Sequence, residues 1–563
     1  MLRAAKTNPA GFWATVVILT GSTVLLLAHL GTYALWDDES LTAMTAGSVW
    51  RAGDTSAWVD DHNLLAYNNG LLIKGFFDRY SPPLQFYFLA PFEGLLGKTA
   101  FICRLPFALC GLLTLCLILR WMWRANPPPM VWWMTAIIIL TDTEFFLFNR
   151  QCRYYALAML FSVAIAYCYN KWINRRGSIL PLMLSMSGLL VSHYLDYAAV
   201  VACVTADYVI WGRHRRIPTA LDCVKLIVPQ LLVGAVVLSI WNPAARSAAV
   251  AAAGHTAILS PAEYASTVVP FASLRWFHDY YILIRWNWRD MLQSNFFILP
   301  LLLVCPLLYL RNKNSWLLRA PLAVVIFIAI VALLTTHPIR HRSDAEIRYL
   351  TPLLPLGIGL GIVTVSAIAT LRTPLRLALL TLAVIPIFIA APVSGESAWQ
   401  SATAIRFYHE LLHPQREPYT PVAQWINTRT APGATIYVEP GYMTYPLMFH
   451  AGRAMYAWQL PNPPKPEYAK VNDALIRGKI APDYLIAFGP YTRTMEDARS
   501  ELAARGIRYE RVDTIHVFWH DVFRPEIINR AFATVTPKPG EEVYIYKRLP
   551  GPATANVTTA QTR

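Results

Sequence analysis

Apolar runs long enough to cross a bilayer alternate with polar segments over the first 392 residues, and this pattern stops after Pro392. A spanning helix needs about 20 apolar residues, with latitude for tilt. Runs near 12–30, 101–121, 130–148, 154–170, 178–195, 197–211, 224–241, 292–310, 318–336, 349–370 and 375–392 fit that length. Leu84 to Gly97 is shorter and predicts a partial or strongly tilted span. The expected fold is a polytopic α-helical membrane protein with about 11 to 13 transmembrane helices.

Beyond 392 the period shortens. Ala434 to Glu439, Asp483 to Phe488, Tyr509 to Val517 and Glu542 to Tyr546 read as strands, with helical patterns at Val471 to Arg477 and Glu496 to Arg505. The expected organisation is a transmembrane region over 1–392 that includes an outer loop at 31–83 with interfacial helices, an α/β domain over 393–550, and a disordered Thr/Ala-rich tail over 551–563. No Gly-rich phosphate loop opens a helix of that domain, so no nucleotide is assigned to it.

Composition agrees with the pattern: 55% of the 563 residues are hydrophobic, only 15% are charged, and mean hydropathy is +0.37. That is too apolar for a soluble enzyme of this size. The net charge of +15 is concentrated in short loops, such as Arg120/Arg124, Lys171/Arg175/Arg176, Arg213/Arg215/Arg216, Arg311/Lys313/Arg319 and Arg372/Arg376. Basic loops on alternate turns report orientation, not a nucleic-acid partner, and they put the amino terminus and these loops in the cytoplasm. No cleavable signal is read at the amino terminus, which favours an inner or plasma membrane. The eight cysteines show no paired spacing, so neither a disulfide framework nor a thiolate metal site is expected.

The opposite face then receives an acidic triplet, Asp37-Asp38-Glu39, directly after Trp36. Carboxylates are costly at the bilayer centre and collect at its edges or in polar cavities. The plain alternative is an acidic helix end facing solvent. The same face receives Arg340, Arg342 and Arg348, against the charge bias, along with Arg150, Arg153 and the run His193-Tyr194-Leu195-Asp196. Guanidinium forks suit phosphate oxygens. Local i, i+4 pairing of Arg342 with Glu346 and of Asp344 with Arg348 is the competing explanation. Metal ligation by His193 or Asp196 is conceivable, although neither sits in an HxxxH or HExxH spacing.

Six segments in register resemble the GT-C glycosyltransferases of the protein O-mannosyltransferase and aminoarabinose transferase superfamily. They are Trp36-Asp37-Asp38-Glu39, Ser81-Pro82-Pro83-Leu84, Arg104-Leu105-Pro106 through Gly111, Arg150-Gln151-Cys152-Arg153-Tyr154-Tyr155, Ser192-His193-Tyr194 and Arg348-Tyr349-Leu350-Thr351-Pro352. Ser81 stands where the family usually has histidine, and Cys152 where many relatives carry an acid. The resemblance implies transfer of a sugar from a polyprenyl phosphate donor to a hydroxyl of an envelope lipid, polysaccharide or protein, at the periplasmic face of a bacterial inner membrane. It implies Asp38 and Glu39 as catalytic residues and Asp37 as a solvated neighbour. Arg348, Arg340, Arg153, Tyr349 and His193 would bind the donor phosphate. No cofactor is implied beyond a possible divalent cation. A lipid-linked sugar or polymer transporter and a lipid-to-polymer ligase stand as alternatives.

Overall fold

The computed structural model describes residues 8–66, 69–71, 73–241, 298–334, 350–388, 403–414, 417–489, 492–517 and 542–550. It divides into two compact units. One comprises Met1–Thr32 and Tyr80–Pro414, together with Asp521–Ala533; the other comprises Tyr33–Arg79 and Gln415–His520, together with Thr534–Arg563.

The first unit is helical. Asn8 caps α1 (Pro9–Leu27) by accepting from Gly11 N at 2.8 Å, with Pro9 in the first turn where its missing N–H costs nothing. The second unit supplies α2 (Asp37–Ala52), and the helical unit resumes with α3 (Leu84–Leu96). Thr99 caps α4 (Ala100–Ala125), which ends at Asn126 in the left-handed region. Then come α5 (Pro129–Thr141), α6 (Thr143–Asn149), α7 (Tyr155–Ile173), α8 (Leu180–Ser192) and α9 (Tyr194–Asp207), the last continued by a π turn at Tyr208–Gly212. The remaining helices among the described residues of this unit are α10 (Ala220–Ile240), α11 (Ile298–Asn312), α12 (Trp316–Leu334), α13 (Leu353–Ile368), α14 (Thr373–Phe388) and α15 (Thr403–Leu412).

Among the described residues five helices are long and apolar enough to cross a membrane, or six if α5 and α6 count as one broken span. Leucines such as Leu221, Leu231 and Leu232 on α10 are more than half exposed. An apolar helix with so little of its surface covered requires a lipid solvent, in which its backbone is satisfied internally.

The run 130–148, expected as one continuous helix, bends by 56° between α5 and α6. Asp142 causes the break: its side chain accepts from Phe145 N at 3.1 Å and starts a new helix inside the apolar run. The Tyr408 hydroxyl on α15 donates to the Leu140 carbonyl beside the bend, and Phe407 stacks on Phe146.

The second unit holds α16 (Tyr419–Arg429), β1 (Thr435–Glu439), α17 (Thr444–His450), β2 (Met455–Tyr456), β3 (Tyr484–Phe488), α18 (Thr492–Ala504), β4 (Tyr509–His516) and β5 (Glu542–Arg548). The sheet order is β2-β1-β3-β5-β4, with β1 parallel to β2 and β3, and β5 antiparallel to β3 and β4. All four segments expected as strands are strands. β3 is buried throughout, as befits a central strand covered on both faces. The helix expected at 471–477 is reduced to one 3-10 turn at Asp473–Leu475, begun by Asn472.

The segment from Tyr33 to Arg79 folds onto this sheet. Asn63 donates to the carbonyls of Gly452 and Ala454 and accepts from Tyr456 N at 2.9 Å, so one side chain extends the pairing of edge strand β2. Ala57, Leu64 and Ile73 share a core with Leu460, Tyr468 and Leu475, and the Tyr468 hydroxyl donates to the Ile73 carbonyl at 3.0 Å.

Candidate functional site

The acidic triplet opens α2. A helix start leaves backbone N–H groups unpaired and carries partial positive charge, so carboxylates are favoured there. Glu39, in the third helical position, reaches back toward Trp36 N at 3.5 Å, and Asp37 Oδ1 accepts from Asp38 N at 2.9 Å. Further bonds hold the turn: the Thr42 hydroxyl donates to the Asp38 carbonyl and the Ser40 hydroxyl to that of Leu35. Upstream, Leu35 N donates to His450 Nε2 at 3.1 Å, which ties the turn to the end of α17.

Asp37 is 6% exposed, Asp38 8% and Glu39 0%. The expectation of a solvated Asp37 is therefore corrected, and the reading of the triplet as a solvent-facing helix end falls with it. Three carboxylates in one buried turn are costly to assemble. At the far end of the same segment Arg79 holds Asp54 with two 2.6 Å contacts, and this guanidinium keeps the Asp54 carboxyl below its usual range.

Arg153 and His193 belong to the helical unit. His193 stacks on Tyr154 at 4.4 Å with an interplanar angle of 4°, and the Arg153 guanidinium lies 5.5 Å from the same ring. Tyr154 N in turn donates to Gln85 Oε1 at 3.2 Å, in the helix begun by Pro82-Pro83. Two of the sequence segments thus meet on Tyr154. Arg150 instead holds a helix end: it donates to the Leu25 and Leu26 carbonyls at 2.7 and 3.1 Å, capping α1. Arg104 donates to the Leu30 carbonyl at 3.1 Å. Gly111 allows α6 to approach, since a Cβ there would lie 2.8 Å from the Asn149 side chain.

Arg340, Arg348 and Tyr349 lie outside the described residues. Among the described residues no group of three or more His, Cys, Asp or Glu is placed to hold a metal ion. The structure therefore brings Asp38 together with Glu39, and Arg153 together with His193, each pair within its own unit.

Sequence reasoning passed over Asp142 and Glu144, which are buried, with only 5% and 3% of their surface exposed. Two acids inside an apolar run were the available signal. It also passed over His409-Glu410-Leu411-Leu412-His413, which has the spacing of a helical metal motif. There the two imidazoles stack at 4.4 Å on an exposed face while Glu410 is buried. Several aromatic side chains of the second unit serve its fold: Trp425 Nε1 donates to Asp513, Trp458 Nε1 donates to the Ile480 carbonyl and Tyr456 is fully buried.

ArnT from Cupriavidus metallidurans, crystallised bound to undecaprenyl phosphate, superposes with a TM-score of 0.51 over 94% of this chain and 97% of its own, at 13% identity. This chain has the ArnT fold. The apo-state structure of ArnT aligns at 0.47, with 13% identity over 97% of this chain and 98% of that one. No protein-family model matches the chain, and no curated protein does. The ArnT-like fold is a polytopic helical membrane fold, which agrees with the apolar helices described above.

Proposed function

We propose that this protein is a GT-C glycosyltransferase that takes a sugar from a polyprenyl phosphate carrier and attaches it to a hydroxyl of an envelope lipid, polysaccharide or protein. The observation that carries the reading is the buried turn Asp37-Asp38-Glu39 at the start of α2 in a chain with the ArnT fold. Undecaprenyl phosphate, the ligand in the ArnT crystal structure, represents the carrier. The site works at the periplasmic face of a bacterial inner membrane, the face opposite the basic loops.

In the reaction Asp38 takes the proton of the acceptor hydroxyl. The oxygen attacks the anomeric carbon and the carbon–oxygen bond to the carrier phosphate breaks, with its electron pair leaving on the phosphate. Phosphate departs as a stable anion, so a second carboxyl group to protonate the leaving oxygen is unnecessary, unlike in hydrolysis of a sugar ether. Glu39 orients the acceptor. Arg153 and His193, with Arg340, Arg348 and Tyr349, hold the carrier phosphate through charge-assisted hydrogen bonds.

Mass spectrometry of lipid-linked sugars and envelope glycans in cells with and without the gene tests the reading. The expected result is accumulation of one polyprenyl phosphate sugar and loss of one sugar from one glycan. Unchanged lipid-linked sugars and glycans in the deletion overturn it.

A further inference from the structure

Behind the Arg153–Tyr154–His193 stack lies a carboxylate to which the proposed reaction assigns no role. Asp196 sits in the first turn of α9 with no exposed surface, and its Oδ2 lies 3.0 Å from His193 Nδ1. Among the described residues neither of its carboxylate oxygens has another hydrogen-bond partner. A buried carboxylate with one contact depends on that contact to offset its desolvation.

His193 precedes α9 in extended backbone, and its Nδ1 is also 3.3 Å from Asp196 N. One ring nitrogen carries either a hydrogen or a lone pair, so it serves one of these two partners as a hydrogen bond. The shorter and charged contact decides: Nδ1 carries the hydrogen and donates to Oδ2. The carboxylate therefore fixes the ring orientation and keeps the hydrogen on Nδ1. The ring is clamped on its flat side as well, by the parallel Tyr154 stack at 4.4 Å.

We propose that Asp196 is a positioning residue for the carrier phosphate. It holds the His193 ring by Nδ1 and so sets the angle at which the imidazole meets the carrier phosphate, beside the Arg153 guanidinium on the shared Tyr154 ring. This rests on the glycosyltransferase reading. Asp196 touches no reacting atom and acts through His193, as outer carboxylates orient histidines in other sites.

The test is binding of undecaprenyl phosphate to the full-length protein in nanodiscs, read beside donor KM and kcat and a melting transition. Asp196→Asn keeps the shape and removes the charge. The expected result is binding weakened about 10-fold, donor KM raised by the same factor and kcat changed less than about twofold, corresponding to one charge-assisted hydrogen bond. If Asp196→Asn loses its melting transition, Tyr154→Leu, which removes the clamp without touching the buried pair, is read in its place with the same expectation. Unchanged carrier binding in the variant that folds, or a loss confined to kcat, overturns the assignment of Asp196 alone. A wild-type protein that does not bind undecaprenyl phosphate overturns the glycosyltransferase reading, and this assignment with it.

Discussion

His450 Nε2 accepts a hydrogen bond from Leu35 N at 3.1 Å, although 415 positions separate the two residues. Leu35 is fully buried and stands two residues before the acidic turn. The imidazole therefore places the entry to α2. His450→Ala leaves the Leu35 N–H without this acceptor, which costs about 1–3 kcal/mol. A lower unfolding midpoint and reduced turnover are expected from His450→Ala, with His450→Gln retaining more of both. Full stability and activity in the alanine variant would show that the turn is held without this bond.

The bend inside the broken span depends on two side chains. Tyr408→Phe removes the hydroxyl that donates to the Leu140 carbonyl, and Asp142→Ala removes the cap on Phe145 N. Each loss is expected to destabilise the protein by about 1 kcal/mol, measured by denaturant unfolding in detergent. No change in either variant would mean that water or lipid headgroups replace both bonds without cost.

Arg150 and Arg153 separate structure from binding within one short segment. Arg150→Ala takes two donors from the end of α1 and is expected to cost about 1.5–3 kcal/mol of stability, with donor KM unchanged in the protein that folds. Arg153→Ala is expected to do the reverse, raising donor KM about 10-fold or more with little change in the unfolding midpoint. Reversed behaviour of the two variants would require exchanging their roles.

Acid sensitivity of the second unit is expected to include Asp54. Its carboxyl is depressed below 3.8 chiefly by the hydrogen bond from Arg79, so its contribution is fully present above that value and fades as pH falls through the lower folded-state value. The Asp54 side chain is 36% exposed, so screening limits the contribution to about 0.2–1 kcal/mol. Asp54→Asn should lower stability at pH 6 by that amount and leave it unchanged at a pH below the folded-state value. An equal loss at both pH values would assign the effect to packing.

The polytopic helical fold and four of the five strands were legible because hydrophobic period and run length are local properties of the chain. The broken span was not, since a run of apolar residues hides one capping carboxylate, and only the cost of Asp142 in lipid could have flagged it. Strand β2 is two residues long and is held partly by Asn63 from another part of the chain, which no local pattern reveals. Asp38, Glu39, Arg153 and His193 stood out as candidates because charged and aromatic groups between apolar runs are conspicuous against an apolar background. The burial of Asp37 was not legible, because exposure depends on what folds over a residue. The capping of α1 by Arg150 likewise depends on a helix end far away in sequence.

The proposed mechanism stands on the Asp38 carboxylate as general base. The decisive measurement is single-turnover sugar transfer by purified Asp38→Asn, with donor and acceptor saturating and the melting transition intact. A positioned base contributes about 10² to 10⁴ in rate. A loss of that size in the chemical step is expected, with carrier binding unchanged; transfer at the wild-type rate would contradict the assignment.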